Sequence, residues 1–374
     1  MEYLLVGLEV ISILKGEGYS SFIVGGAVRD LLLDMPIHDI DIATSATPSV
    51  IGTIFEVKES GIKYNSVTIV YKGYQFEATT FRKEIAYLDN RHPDYVLAQT
   101  LEEDVIRRDF TINALALDKD NNLIDLVNGL DDIKNKIIRT IGNPDTRFKE
   151  DALRILRAIY FYAKLDFEID GMTKIALKEN AFLVQGLSFD RIKNELDKMV
   201  ETGNYLAAFR LMDELKITPY LKELSRGVNL IYKQNILDAN PFLLLLLSYY
   251  KSDNLPQIKE KKRMENVYRL LDQDLLDPTV LFDNIFDDIL YANRLLVIFK
   301  TRPYDSTTLY KSYESLPIHS LYELDINARD IMNELHLANE DVGKALNIAV
   351  KGVLYKKVSN KRDELFKYIL KLFK

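Results

Sequence analysis

The 374-residue chain contains no cysteine. Disulfide staples, thiolate nucleophiles and sulfur-ligated metals are therefore excluded, which agrees with a reducing, cytoplasmic setting. Histidine is scarce: His38, His92, His319 and His336 stand at spacings that do not suit zinc. No apolar run reaches the roughly 20 residues that a bilayer span requires. The longest, Pro241–Tyr250, holds five leucines and reads as a buried helix, so no membrane partner is expected. Met1–Ile13 lacks the basic start and small-residue cleavage site of a secretory signal. A coat of positive charge is missing too, because the formal net charge is -7. A nucleic-acid ligand would need a local basic groove instead.

What is present is an ordinary globular composition on a chain too long for one core, so several domains are expected. The first part alternates strand and helix signals. Phe22–Val24 reads as a strand running into Gly25-Gly26, with a helix over Ala27–Leu33. Asp39–Ala43 has the period of a half-buried strand. Ser66–Tyr71 and Tyr74–Phe81 read as a hairpin turning at Lys72-Gly73. Leu115–Leu117 and Leu123–Leu126 read as a second hairpin around Asp118–Asn122. From Asp145 onward the apolar spacing is helical, as at Leu153, Leu156, Tyr160 and Ala163. It recurs at Ile192, Leu196, Met199 and Val200, behind the N-cap candidate Ser188. Ser252–Gln257 reads as a linker. Strands followed by a run of helices indicate an α+β fold, a head with a mixed β-sheet on an all-α remainder.

Two stretches carry chemistry. On a strand Asp39 and Asp41 share one face, and two adjacent carboxylates repel unless a cation lies between them. Oxygen ligands of this kind suit Mg²⁺. Gly25 and Gly26 lack Cβ atoms, so their backbone can approach a phosphate closely at a helix start, and Arg29 offers a charged donor nearby. Together these residues describe a triphosphate beside a two-metal site, with Asp39 and Asp41 as metal ligands and Glu77, on the neighbouring strand, as the third catalytic carboxylate. The chemistry implied is phosphoryl-type transfer: one ion activates a hydroxyl and the other stabilises pyrophosphate as it leaves.

The second stretch is Arg147–Arg157. In a continuous helix Asp151, Arg154 and Arg157 line one face. Cytosine and adenine each present an amino donor beside a ring-nitrogen acceptor, which an Asp and an Arg complement. Guanine and uracil present the reverse pattern, against which both contacts repel. Such contacts discriminate by roughly 1–3 kcal/mol each.

These residues resemble the class II tRNA nucleotidyltransferases, a CCA-adding family of the DNA polymerase beta-like superfamily. The resemblance rests on Gly25-Gly-Ala-Val-Arg-Asp-Leu-Leu-Leu33 with Asp39-Ile-Asp41, on Arg107-Arg-Asp-Phe-Thr-Ile-Asn-Ala114 and on Asp125-Leu-Val-Asn-Gly129 with Asp132, Lys136 and Arg139. Glu150-Asp-Ala-Leu-Arg154, Ser188-Phe-Asp-Arg191 with Glu195-Leu196, and Leu324–Met332 complete it. It implies Arg108, Asp109 and Asn113 on the sugar and triphosphate, and a seahorse of four parts: a nucleotidyltransferase head over 1–138, a nucleotide-selecting helical neck over 139–205, a helical body over 206–290 and a tRNA-binding helical tail over 291–374. The implied substrates are CTP, ATP and the 3′ end and elbow of tRNA, with no obligate protein partner. Asp34, Tyr160 and Ala328 depart from the usual Gly, Arg and Gly; Tyr160 puts a phosphate contact there in doubt.

The long charged loop Arg82–Gln99 argues against a CC-only enzyme. An A-adding enzyme, a poly(A) polymerase and a catalytically silent tRNA binder are the other readings. The final segment, Lys351–Lys374, carries eight Lys or Arg against two acidic residues, a phosphate-binding surface on the expected tail.

Overall fold

The computed structural model describes residues 2–58, 65–87 and 93–373. Two compact units divide between Ser248 and Tyr249, just before the stretch read as a linker.

The first unit opens with α1 (Glu2–Gly16), β1 (Ser21–Val24), α2 (Gly26–Leu32), β2 (Asp41–Thr44), α3 (Pro48–Ile54) and β3 (Glu56–Lys58). The hairpin β4 (Ser66–Tyr71) and β5 (Tyr74–Thr80) follows, then β6 (Arg82–Tyr87) and β7 (Pro93–Leu97). Next come α4 (Leu101–Ile106), the hairpin β8 (Ala116–Leu117) and β9 (Leu123–Ile124), α5 (Gly129–Lys134) and β10 (Ile137–Ile138).

Among the described residues the main sheet has seven strands in the order β3-β4-β5-β2-β1-β8-β9. Pairing is antiparallel throughout, except that β2 runs parallel to β5 with Asp41 opposite Glu77. The sheet is thus mixed, as expected. Gly7 lets α1 lie close on the sheet: a Cβ there would stand 3.2–3.3 Å from Ile23, Ile40 and Phe76. A buried group including Val24, Ala43, Phe81, Leu101, Val105 and Ala116 joins β1 and β2 to α4.

Asp39 falls just outside β2, whereas the alternating pattern placed the strand from Asp39. The ladder begins only where Ile40 accepts from Glu77 N. On the other side β1 ends at Val24, opposite Asp41, and the chain turns away at Gly25 with φ 77°.

Helices take over with α6 (Pro144–Glu150) and α7 (Leu153–Leu165), then, after β11 (Glu168–Ile169), α8 (Gly171–Glu179) and α9 (Phe189–Glu201), which Ser188 caps as expected. α10 (Tyr205–Glu214), α11 (Leu224–Lys233) and α12 (Pro241–Tyr249) complete the run. The five leucines of α12 are at most 1% exposed, and no helix among the described residues is long and apolar enough to cross a membrane.

The expected single helix over Arg147–Arg157 is instead two. Asp151 is extended, φ −143° and ψ 105°, and its carboxylate accepts from Leu153 N at 3.0 Å. This local side-chain bond competes with helix continuation.

The second unit is helical: α13 (Lys261–Leu270), α14 (Pro278–Asp283), α15 (Phe286–Ile298), α16 (Ser306–Glu314), α17 (Ala328–Leu335), α18 (Asn339–Leu354) and α19 (Arg362–Leu372). The Leu324–Met332 signature is the start of α17. Asn327 and Asp330 form a capping box, and Arg362 at the head of α19 holds Asp330 at 2.9 Å.

Candidate nucleotide site

Two adjoining cavities of about 680 and 590 Å³ share Asp41, Arg82, Arg107 and Arg108 in their linings. The larger also takes in Gly25, Gly26, Arg29, Asp39, Asp109, Asn113, Asp151, Arg154 and Arg157; the smaller takes in Glu77. Every residue expected to be catalytic or nucleotide-binding therefore lines this paired cleft. The cleft does, however, divide Asp39 from Glu77, with Asp41 between them.

Gly25 is required where it stands. Its φ of 77° suits only a residue without Cβ, and an added Cβ would approach Asp41 Oδ2 at 3.4 Å and an Arg108 guanidinium nitrogen at 3.5 Å. Its own N–H donates to Leu115 O. Of the glycine pair, it is Gly26 whose amide falls in the first turn of α2, where no intrahelical acceptor exists.

Among the described residues neither the Asp39 nor the Asp41 carboxylate makes a hydrogen bond or ion pair. Asp41 is open to the cavity by surface, but its carboxyl stands on a floor crowded by protein. That desolvation and the Glu77 charge raise its pKa to about 6, with Arg108 opposing and Asp39 adding to the rise. A carboxyl raised by neighbouring carboxylates is the condition a cation relieves. The oxygen-only donor set fits a hard divalent ion, which commonly takes one or two carboxylates and completes its shell with phosphate and water. Among the described residues no group of three acidic or histidine side chains is drawn together around a preformed metal position.

The opposite wall is positive and already paired. Arg29, 3% exposed, donates to Asp30 at 2.6 and 2.8 Å and to Asn113 Oδ1. Asn113 in turn donates to Asp109 at 3.1 Å, which also accepts from Arg157 at 2.6–2.7 Å. Burial pushes the Asp109 carboxyl up, but the Arg157 charge and the bonds from Asn113, Arg157 and Phe110 N outweigh it and leave the pKa lowered. The Phe161 ring lies 5.2 Å from the Arg29 guanidinium and 5.3 Å from that of Arg157, a cation–π arrangement that fixes both.

Sequence reasoning missed what holds this wall. Asp104, fully buried, pairs with Arg107 at 2.7 Å and Arg108 at 3.0 Å. Desolvation raises its pKa, but the two arginines more than compensate and the net shift is downward. The i,i+3 and i,i+4 spacing was readable. Arg147 and Arg154 donate to the carbonyls of Arg107 and, for Arg147, Arg108, and both reach Glu150. These bonds tie α6 and α7 to the Arg107-Arg108 turn. No local pattern announces them, because the acceptors are main-chain atoms about 40 residues away.

Asp151 and Arg154 reach the same cavity without sharing a helix. Arg191, from α9, holds both Asp151 oxygens at 3.0 and 3.2 Å. Arg157 faces Asp109. Tyr160, where an arginine would be usual, also lines the cavity. In the third motif, Gly129 packs against Thr111: a Cβ would stand 2.3 Å from that residue's carbonyl oxygen. Asp132 accepts from Thr111 and Arg139, so this motif braces the cleft from below. The stretch Arg82–Gln99, expected as a loop, is largely strand in its described part, because β6 and β7 pair antiparallel with each other; Asp89, Arg91 and His92 lie outside the described residues.

The chain resembles known proteins along its whole length. A family profile described as the poly A polymerase head domain matches residues 21–139, and one for tRNA nucleotidyltransferase domain 2 matches 242–369. It is 34% identical to the CCA-adding enzyme of Lactobacillus johnsonii over 98% of this chain and 97% of that one. For the CCA-adding enzyme of Ligilactobacillus salivarius the figures are 35%, 98% and 96%. The crystal structure of the Bacillus stearothermophilus CCA-adding enzyme in complex with CTP superposes with a TM-score of 0.79 at 29% identity, covering 99% of this chain and 98% of that one. A nucleotide-sized cleft with carboxylates on one wall and arginines on the other, inside a likeness spanning the full chain, leaves one conclusion: the chain belongs to the CCA-adding enzymes, divalent-metal nucleotidyltransferases of tRNA processing.

Proposed function

We propose that the chain adds C, C and A in turn to the 3′ end of tRNA, taking CTP and ATP and releasing pyrophosphate. The observation that carries this reading is the placement of Asp41. It lies against Gly25 and Arg108 on the phosphate side and against Glu77 across the sheet, in one cleft with Asp151 and Arg154. Mg²⁺ held by Asp39 and Asp41 would supply charge neutralisation to the triphosphate and acidify the attacking tRNA hydroxyl. Glu77 adds negative charge beside Asp41 and strengthens the site for a cation. Gly26, Arg29 and Arg108 receive the phosphates. Asp109 and Asn113, bonded to each other, present one face to the sugar. Asp151 accepts from the amino group of C or A while Arg154 donates to the ring nitrogen, and the reversed pattern of U and G is repelled. Arg157 acts through Asp109, which it holds in place.

In this reading 1–138 is the head, 139–205 the neck that selects the nucleotide, 206–290 the body and 291–374 the tail. The lysines of the Lys351–Lys374 segment meet the tRNA elbow. The cytoplasm, where tRNA and both nucleotides meet, is the place of action. Supplying CTP alone, ATP alone and both to a tRNA ending at its discriminator base, and to one ending in CC, tests the reading. Expected are two additions with CTP, completion with both and one addition of A to the CC end. No extension with CTP overturns CCA addition, and ATP-only activity on the CC end makes the chain an A-adding enzyme.

A further inference from the structure

The cations on the larger cavity are unequally committed. Arg29 is bonded to Asp30 and Asn113, Arg108 to Asp104, Arg157 to Asp109 and Lys198 to Glu195 at 2.8 Å. Lys164 is held more loosely than these four. It lines the same cavity, its side chain is 25% exposed, and its contact is Asp30 Oδ2 at 3.5 Å. The Asp30 carboxylate is already neutralised through its other oxygen, Oδ1, which accepts twice from Arg29, at 2.6 and 2.8 Å. A flexible ammonium at that distance loses little by leaving.

Its position on α7 assigns it a partner. Arg154, Arg157, Tyr160 and Lys164 follow one another at helical intervals and all line the cavity. Ten residues at 1.5 Å each carry the wall roughly 15 Å from the base-reading end to Lys164. There it meets Asp30 and, through Asp30, Arg29, beside the glycine turn. Tyr160 brings no charge to this row, and Lys164, one turn on, restores one.

We infer that Lys164 binds the terminal, pyrophosphate half of the incoming nucleotide, exchanging its loose contact with Asp30 for phosphate oxygens. The inference rests on the proposed function and names a residue that the motifs do not include. The contact is made alike by CTP and ATP, because it lies beyond the base and sugar, and it persists on the pyrophosphate product.

Kinetics of Lys164→Met with tRNA, CTP and ATP test this, with CMP and pyrophosphate as inhibitors. Expected is a KM about tenfold higher for both nucleotides, kcat within about twofold, pyrophosphate inhibition weakened in proportion and CMP inhibition unchanged. Lys164→Arg should restore both constants. Lys164→Gln, whose amide can keep a bond to Asp30, replaces the Met variant if that one folds poorly. Unchanged KM values, a change for one nucleotide only, or equal weakening of CMP and pyrophosphate overturns the role of Lys164. Absence of C or A incorporation by the unaltered protein overturns the functional reading itself, and this role with it.

Discussion

On the sheet side of the larger cavity, the carboxylates of Asp39 and Asp41 face space with no hydrogen bond or ion pair among the described residues. On the helical side, the Asp109–Arg157 pair, the Asn113 bridge to Arg29 and the arginine bonds to the 107–108 carbonyls are closed before any ligand arrives. The first wall stores repulsion that a cation can discharge, whereas the second is a finished framework. Function and stability should therefore separate along this line, and four experiments can break or sharpen the distinction.

The largest effect is expected at Asp41. Asp41→Ala should cut nucleotide incorporation by roughly 10³-fold, since charge stabilisation by a bound metal supplies several kcal/mol. Its thermal midpoint should stay at or above that of the parent. A destabilised Asp41→Ala protein would mean that the acidic wall is structural after all.

On the other wall, Asp104→Ala strands Arg107 and Arg108. Removing one partner of a buried ion pair costs about 3–5 kcal/mol, to be read from urea denaturation. A loss below about 1 kcal/mol would contradict the framework reading.

Arg191→Ala is milder. It leaves the Asp151 carboxylate held by Leu153 N, so the preference for CTP over UTP should fall about tenfold, within the range of a single base contact. Unchanged preference would show that Asp151 needs no support from α9.

The smallest effect is a pH dependence. Unfolded, the Asp41 carboxyl titrates near 3.8; folded, at about 6. Between these values the folded chain holds more protons than the unfolded one, so the stability linked to Asp41 is lost as pH rises through about 6. In EDTA, Asp41→Asn should melt above the parent at pH 7.5 and lose most of that advantage at pH 4. An advantage confined to low pH would reverse the sign and refute a carboxyl raised by burial and by the Glu77 charge.

The cleft was legible in the sequence where its parts lie within one motif. Gly25 could be read because a glycine pair between a strand and a helix lets the backbone approach a phosphate, and the structure sets it at φ 77°. The hairpin β4–β5 could be read because its period and turn are local, and both ends of the expected Ser66–Tyr71 strand match. The Arg147–Arg157 stretch was legible in its membership of the site but not in its shape. Its helical periodicity is real on either side of Asp151, but the break depends on a carboxylate choosing Leu153 N and Arg191 over solvent.

Asp39 shows the same limit at a strand end. Alternation continues through it, but pairing does not, because β1 turns away. Asp104 was missed: the two arginines that follow it stand at helical spacing, but nothing local says that it would be fully buried.

The sequence alone determined a strand-rich head followed by helices, and which side chains have the donors and acceptors a triphosphate and a base would need. Periodicity, turn chemistry and donor inventories act over a few residues, so they can be read from a string. Tertiary structure decided that Asp41 sits between Asp39 and Glu77, that Arg147 and Arg154 hold main-chain atoms of a distant turn, and that Lys164 is left loosely held. Those outcomes depend on distances between segments and on how far each charge is stripped of water, and both are set only when the chain closes on itself.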